Sequence, residues 1–96
     1  MRVELEKYLN ETIEVKATYK NFAITNNRRF DLFLNVTIGE KVLTDHVWIK
    51  LKKSQQKKMK KKTEYTFTAK VDTYFKKGKD GEEKIMDYCL TEVVFK

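Results

Sequence analysis

Hydrophobic side chains recur at alternate positions in four separate blocks of this chain, and a period of two belongs to strands. In Thr12 to Ile24, the residues Ile13, Val15, Ala17 and Tyr19 share one face. In Phe30 to Ile38, the residues Phe30, Leu32, Leu34, Val36 and Ile38 face one way, and Asp31, Phe33, Asn35 and Thr37 the other. Lys41 to Leu51 sets Leu43, Val47, Ile49 and Leu51 against Thr44, His46, Trp48 and Lys50. Glu64 to Phe75 turns Tyr65, Phe67, Ala69, Val71 and Phe75 inward and Thr66, Thr68, Lys70, Asp72 and Tyr74 outward. Ile85 to Phe95 forms the closing strand. The alternation slips near Asn21-Phe22-Ala23-Ile24, which predicts a bulge or a strong bend there.

Turn chemistry separates the blocks. Asn26 and Asn27 tolerate left-handed backbone, so Thr25 to Arg29 reads as a loop. Gly39-Glu40 reads as a tight turn, and Lys76 to Lys84 as a polar hairpin loop around Asp80-Gly81. Val3 to Asn10 is a short helix, with Leu5 stacked on Tyr8 and Leu9 and with Asn10 ending it. Lys50 to Lys62 holds eight lysines and no acid. At helical spacing Gln55, Gln56 and Met59 form one stripe, which predicts a short basic helix anchored by Met59. Its like charges four residues apart oppose it.

The 96 residues suffice for one domain, spanning 1–96. With 41% hydrophobic residues, three glycines and no proline, the chain is too apolar for disorder and too poor in breakers for long linkers. No apolar leader region follows Met1-Arg2, and no stretch reaches the roughly 20 residues of a membrane span. The single Cys89 excludes an internal disulfide and fits a reducing, cytoplasmic compartment; a small buried hydrophobe is its ordinary role.

The element order is a short helix, three strands, a short basic helix and two strands. That is the order of an OB-fold, a mainly β, five-stranded Greek-key barrel with a helix between strands three and four. An SH3-like barrel leaves the basic insert unexplained. The stretch Leu43-Thr44-Asp45-His46-Val47-Trp48-Ile49, with Tyr65-x-Phe67-x-Ala69-x-Val71-x-x-Tyr74 after the lysines, resembles small OB-fold nucleic-acid-binding proteins of bacteria and their mobile elements. The resemblance implies that fold and, less directly, nucleic-acid binding. It brings no catalytic residues.

Charge points the same way. Eight positive charges lie in one 13-residue run of a chain with formal net charge +7, so the remaining 83 residues sum to −1. A basic patch of that kind suits a polyanion. OB-folds hold single strands on the face of strands two and three, between the first-to-second and fourth-to-fifth loops, with cations on phosphates and aromatics under bases. The candidate interface is therefore Arg28 and Arg29 in the first loop and Lys76, Lys77 and Lys79 in the last. Phe33, His46 and Trp48 lie on the strand faces, and Lys70 and Tyr74 on strand four. Lys50, Lys53 and Lys57 come from the basic run. The competing structural roles are a solvated lysine face, and cover of Phe33 and Trp48 by the N-terminal helix.

The expected function is single-stranded nucleic-acid binding, DNA ahead of RNA, with low sequence specificity, since lysine contacts to phosphate carry no sequence information. Asp45 beside His46 does not read as a catalytic dyad, because neighbours in a strand point to opposite faces. Alternation instead puts Asp45 on the core side, as a carboxylate bonded to backbone amides or to the Trp48 indole N–H. No acid-rich cluster suggests a metal, so no enzyme activity, metal or cofactor is expected. Two other partners stay open, the first of them on the same basic patch. One is an acidic host or phage protein, as for a mobile-element inhibitor of a CRISPR nuclease. The other is a second copy meeting an unpaired strand edge.

Overall fold

The computed structural model describes residues 3–77 and 84–96. The four alternating blocks and the closing strand become β1 (Thr12–Thr25), β2 (Arg28–Ile38), β3 (Lys41–Ile49), β4 (Glu64–Lys77) and β5 (Lys84–Phe95). All are antiparallel to their neighbours in the order β3-β2-β1-β4-β5, and the sheet curls into a half-barrel. Strand β1 belongs to two hairpins. Its residues Thr12–Thr18 pair with β4, and Lys16–Thr25 with β2. The β1–β2 and β4–β5 hairpins therefore project as separate arms beyond the shared middle of β1.

Local chemistry accounts for the turns. Thr25 pairs with Arg28 across Asn26 (φ 51°) and Asn27 (φ 62°). Two positive-φ residues in a two-residue loop make the I′ hairpin turn that matches strand twist. Ile38 pairs with Lys41 across Gly39 and Glu40, with Gly39 at φ 59°. The expected Asp80-Gly81 turn lies outside the described residues.

The N-terminal segment is a 3-10 helix, Val3–Tyr8, ended by Asn10 at φ 68°. Leu5 is fully buried and joins the core, while Leu9 stays largely outside and bridges Val71. The basic insert is only one helical turn, α1 (Lys53–Gln56). Repulsion among the lysines and the positive φ of Lys62 (65°) keep it from growing. Met59 packs against the core as the anchor.

Ile13, Val15, Ala17 and Tyr19 of β1 are buried as their alternation requires, as are Leu43, Val47, Ile49 and Leu51. Strand β2 departs from the expected phase. Asn35 adopts φ 53°, and the β1–β2 register shifts between the Lys16–Thr37 and Thr18–Leu34 pairs. The extra β2 residue reverses the alternation. Val36 remains inward, but before the bulge Asp31 and Phe33 take the core face, while Phe30 and Leu34 are only half buried. A second shift lies between the Tyr19–Phe33 and Asn21–Leu32 pairs. The irregularity thus begins earlier than the Asn21–Ile24 slip suggests.

Phe33 is consequently the middle of the core rather than a surface aromatic. It is 0% exposed, with ring centroids 5.4 Å from Tyr19, 5.4 Å from Phe67 and 6.3 Å from Phe95. Such edge and tilted aromatic contacts add to the burial of the ring itself. None of the described helices is long and apolar enough to cross a membrane.

Candidate nucleic-acid interface

A cleft of about 460 Å³ opens between the two arms. Arg28 and Phe30 from the start of β2 form one wall, with Trp48 from the end of β3 and Lys50 just beyond it. Tyr74 and Phe75 of β4 and Cys89, Leu90 and Thr91 of β5 form the other. A shallower depression of about 300 Å³, lined by Ala23, Thr25, Phe30 and Trp48, continues it along the β1–β2 arm. Phe30 and Trp48 line both, so the two hollows are one track.

Four residues expected at the interface, Arg28, Trp48, Lys50 and Tyr74, meet in this cleft although 46 positions separate the first from the last. Trp48 is 38% exposed and Tyr74 37%. Each keeps part of its ring fixed by the protein and part open, the condition for a stacking platform. Phe75 is 67% exposed in the same cleft and reverses its expected inward placement. The reason is strand length: β1 begins at Thr12, opposite Lys70, so the end of β4 has no β1 neighbour to cover it. Two consecutive aromatics, Tyr74 and Phe75, at the end of a strand were the one sequence hint at this position, since they cannot both face the core.

The other expected residues are dispersed. Arg29 turns away from the cleft toward the buried Asp31, with Nε–Oδ1 at 3.1 Å and a second guanidinium nitrogen at 3.0 Å from Oδ2. Its guanidinium carbon also lies 3.9 Å from the Phe22 ring centre, a cation–π stack. It neutralises an interior carboxylate, so the surface phosphate contact expected of it is corrected to a structural role. Phe33, in the core, cannot reach a base in the folded protein.

His46 is exposed on β3 with Nδ1 2.8 Å from Oδ1 of Asp45, itself 87% exposed. This corrects both expectations for Asp45: it is neither on the core side nor unable to reach its neighbour. Strand β3 is an edge of the sheet, and both side chains are open to solvent there. The bond to His46 holds the Asp45 carboxyl below its ordinary range.

Lys53 and Lys57 flank the α1 turn, exposed and apart from the cleft lining, and Lys70 is half buried in mid-β4. Lys76 and Lys77 are the last residues of β4, and Lys79 lies outside the described residues. Cys89, only partly buried, lines the cleft rather than the core. No cluster of three or more His, Cys, Asp or Glu placed to hold a metal occurs among the described residues.

No family model matches the chain, and neither a curated protein nor a solved structure is significantly similar to it.

Proposed function

We propose that the chain is a non-enzymatic single-stranded nucleic-acid-binding protein of OB-fold type, taking DNA ahead of RNA with little sequence preference. The observation that carries the reading is the cleft, where Trp48, Tyr74, Phe75 and Phe30 lie between the cations Arg28 and Lys50. Partly open rings stack on any base, each worth roughly 1–3 kcal/mol, and flanking cations meet the backbone.

The strand order supports the OB-type reading. The sheet β3-β2-β1-β4-β5 has β3 and β5 as its two edges. Alternating antiparallel steps leave these edges running in the same direction. Joining them closes a barrel in the order 1-2-3-5-4, with α1 in the third-to-fourth connection. The cleft then falls between the first and last hairpin arms, where OB-folds take single strands.

Trp48 is the only tryptophan, so its fluorescence reports on the cleft directly. Titration with a single-stranded DNA oligonucleotide at two salt concentrations is expected to quench that emission, with affinity falling as salt rises. Binding without a change in Trp48 emission, or binding indifferent to salt, overturns the reading.

A further inference from the structure

The lysine run is the largest charged feature that the cleft does not absorb. Residues 52–62 carry seven lysines, no acid and no aromatic residue, and each lysine is exposed. The segment is nevertheless tethered along its length. Gln55 Nε2 donates to the Val93 carbonyl at 2.7 Å, and Gln56 Nε2 to that of Leu51 at 3.1 Å. The Tyr65 hydroxyl accepts from the Lys60 N–H at 2.8 Å and donates to the Lys58 carbonyl at 3.2 Å. The Lys62 N–H donates to the Tyr19 carbonyl at 2.8 Å, and Met59 sits against the core. Mutual repulsion would loosen an untethered segment; these bonds hold the charges in a fixed array.

The two surfaces differ in kind. The cleft offers several aromatic rings and few cations, which suits unpaired bases. The lysine array offers many cations and few rings, only the half-buried Tyr65 and Phe95 lying beside Lys58, which suits a backbone whose bases are already stacked and paired. Lysine ammonium groups are point charges that contact phosphate without reading sequence. A duplex presents one such charge per roughly 1.7 Å of its axis. The surfaces also adjoin. Lys50 lines the cleft, and Lys52 begins the array at most about 7 Å further along the backbone.

We propose that residues 52–62 form a duplex-binding surface, so that the ligand is a nucleic acid in which a double-stranded segment continues into a single strand. The proposal rests on the single-strand reading of the cleft. The duplex lies on the lysine array, and its unpaired tail enters the cleft past Lys50.

The test compares three labelled DNA probes on the full chain: a single strand of about 12 nucleotides, a blunt duplex of about 12 base pairs, and that duplex carrying the single strand as a tail. The tailed duplex is expected to bind at least about tenfold more tightly than the tail alone. Replacing Lys58, Lys60 and Lys61 together by Gln should remove that gain and lower the salt slope for the tailed probe by about one per lysine. Affinity for the isolated tail should change less than about twofold, as expected for charges outside its site. Two results overturn the proposal: a tailed duplex binding no better than its tail, or a triple variant weakening both probes equally. Trp48→Ala separates the readings. If tail affinity survives it while the lysine variant still abolishes blunt-duplex binding, the cleft reading fails and the duplex surface stands.

Discussion

The Tyr19 hydroxyl donates a 2.7 Å hydrogen bond to Oδ2 of Asp31, and both side chains are buried. The bond ties the middle of β1 to the beginning of β2, at the root of the arm that carries Arg28 and Phe30 into the cleft. Arg29, bonded to both oxygens of the same carboxylate, supplies its counter-charge. The alternation of side chains along β2 then does the rest. With Arg29 and Asp31 turned in, Arg28 and Phe30 face the cleft. The polar cluster therefore sets the orientation of one cleft wall while lying outside the cleft lining itself.

Burial pushes the Tyr19 phenol from 10.0 up to about 12, and the hydrogen bond and charge of Asp31 add to the effect. The native state keeps this proton at pH values where the unfolded chain releases it. Its contribution to stability is therefore complete below about pH 10 and is lost progressively from about pH 10 to 12, amounting to about 2 kcal/mol. Urea unfolding of the native sequence and of Tyr19→Phe, at pH values on either side of that window, measures the effect. The difference between the two should narrow or reverse as pH rises; a constant difference contradicts the assignment.

Arg29→Met removes the counter-charge of Asp31, a carboxylate 0% exposed in the interior. The loss should be about 3 kcal/mol, toward the lower end for broken buried pairs because Arg29 itself is partly open to solvent. Adding Asp31→Leu should recover part of it, since an apolar replacement has no charge to strand. Chemical denaturation of the two single variants and the double variant gives the coupling energy. Strictly additive losses show that the pair is not coupled.

Phe33→Ala should cost about 3–5 kcal/mol, the usual range for emptying a core of a large aromatic ring. In a domain of this size that approaches the whole stability. Phe33→Leu keeps most of the volume and should remain folded, with oligonucleotide affinity unchanged, because Phe33 packs against Tyr19, Phe67 and Phe95 in the core and does not line the cleft. A folded Phe33→Leu protein with weakened binding contradicts the core placement.

The strands, their order along the chain and the turns at Asn26-Asn27 and Gly39-Glu40 were legible because period-two patterning and Asn-Asn or Gly-Glu punctuation are local signals. Arg28, Trp48, Lys50 and Tyr74 were legible as cleft residues because each falls on or beside the outward side of a correctly read strand end. Phe33, Arg29 and Phe75 were not. Both faces of β2 are apolar around Leu32-Phe33-Leu34, so composition cannot say which is inward. The choice is made by one bulge at Asn35, and a bulge is set by pairing with β1 rather than by β2 alone. Phe75 was misplaced because the relative lengths of β1 and β4 are tertiary facts. Asp31 needed a partner two residues away, and Arg29 looked like a surface charge until the phase of β2 was known.

The bulge makes its own prediction. Asn35 at φ 53° is in left-handed backbone that a β-branched residue resists. Asn35→Gly should be close to neutral, whereas Asn35→Val should cost about 1–2 kcal/mol. Thermal or urea unfolding of the two variants distinguishes them. Equal stability means that β2 does not depend on the bulge for its register.

Phe75 and Trp48 provide the sharpest separation of binding from folding. Neither side chain belongs to the core, Phe75 being mostly open and Trp48 partly so, and both line the cleft. Trp48→Ala and Phe75→Ala should each weaken single-stranded DNA binding by about 5- to 100-fold, corresponding to about 1–3 kcal/mol per lost stack. Stability should fall by less than about 1 kcal/mol for Phe75→Ala, whose ring is 67% exposed, and by somewhat more, about 1–2 kcal/mol, for Trp48→Ala, whose ring is 38% exposed. Trp48→Phe and Phe75→Tyr keep a flat ring at the same place and should restore most of the affinity, whereas Trp48→Leu and Phe75→Leu keep only the hydrophobic volume and should not. If leucine restores binding as well as an aromatic residue does, the cleft recognises apolar surface rather than bases. The ligand is then to be sought among proteins.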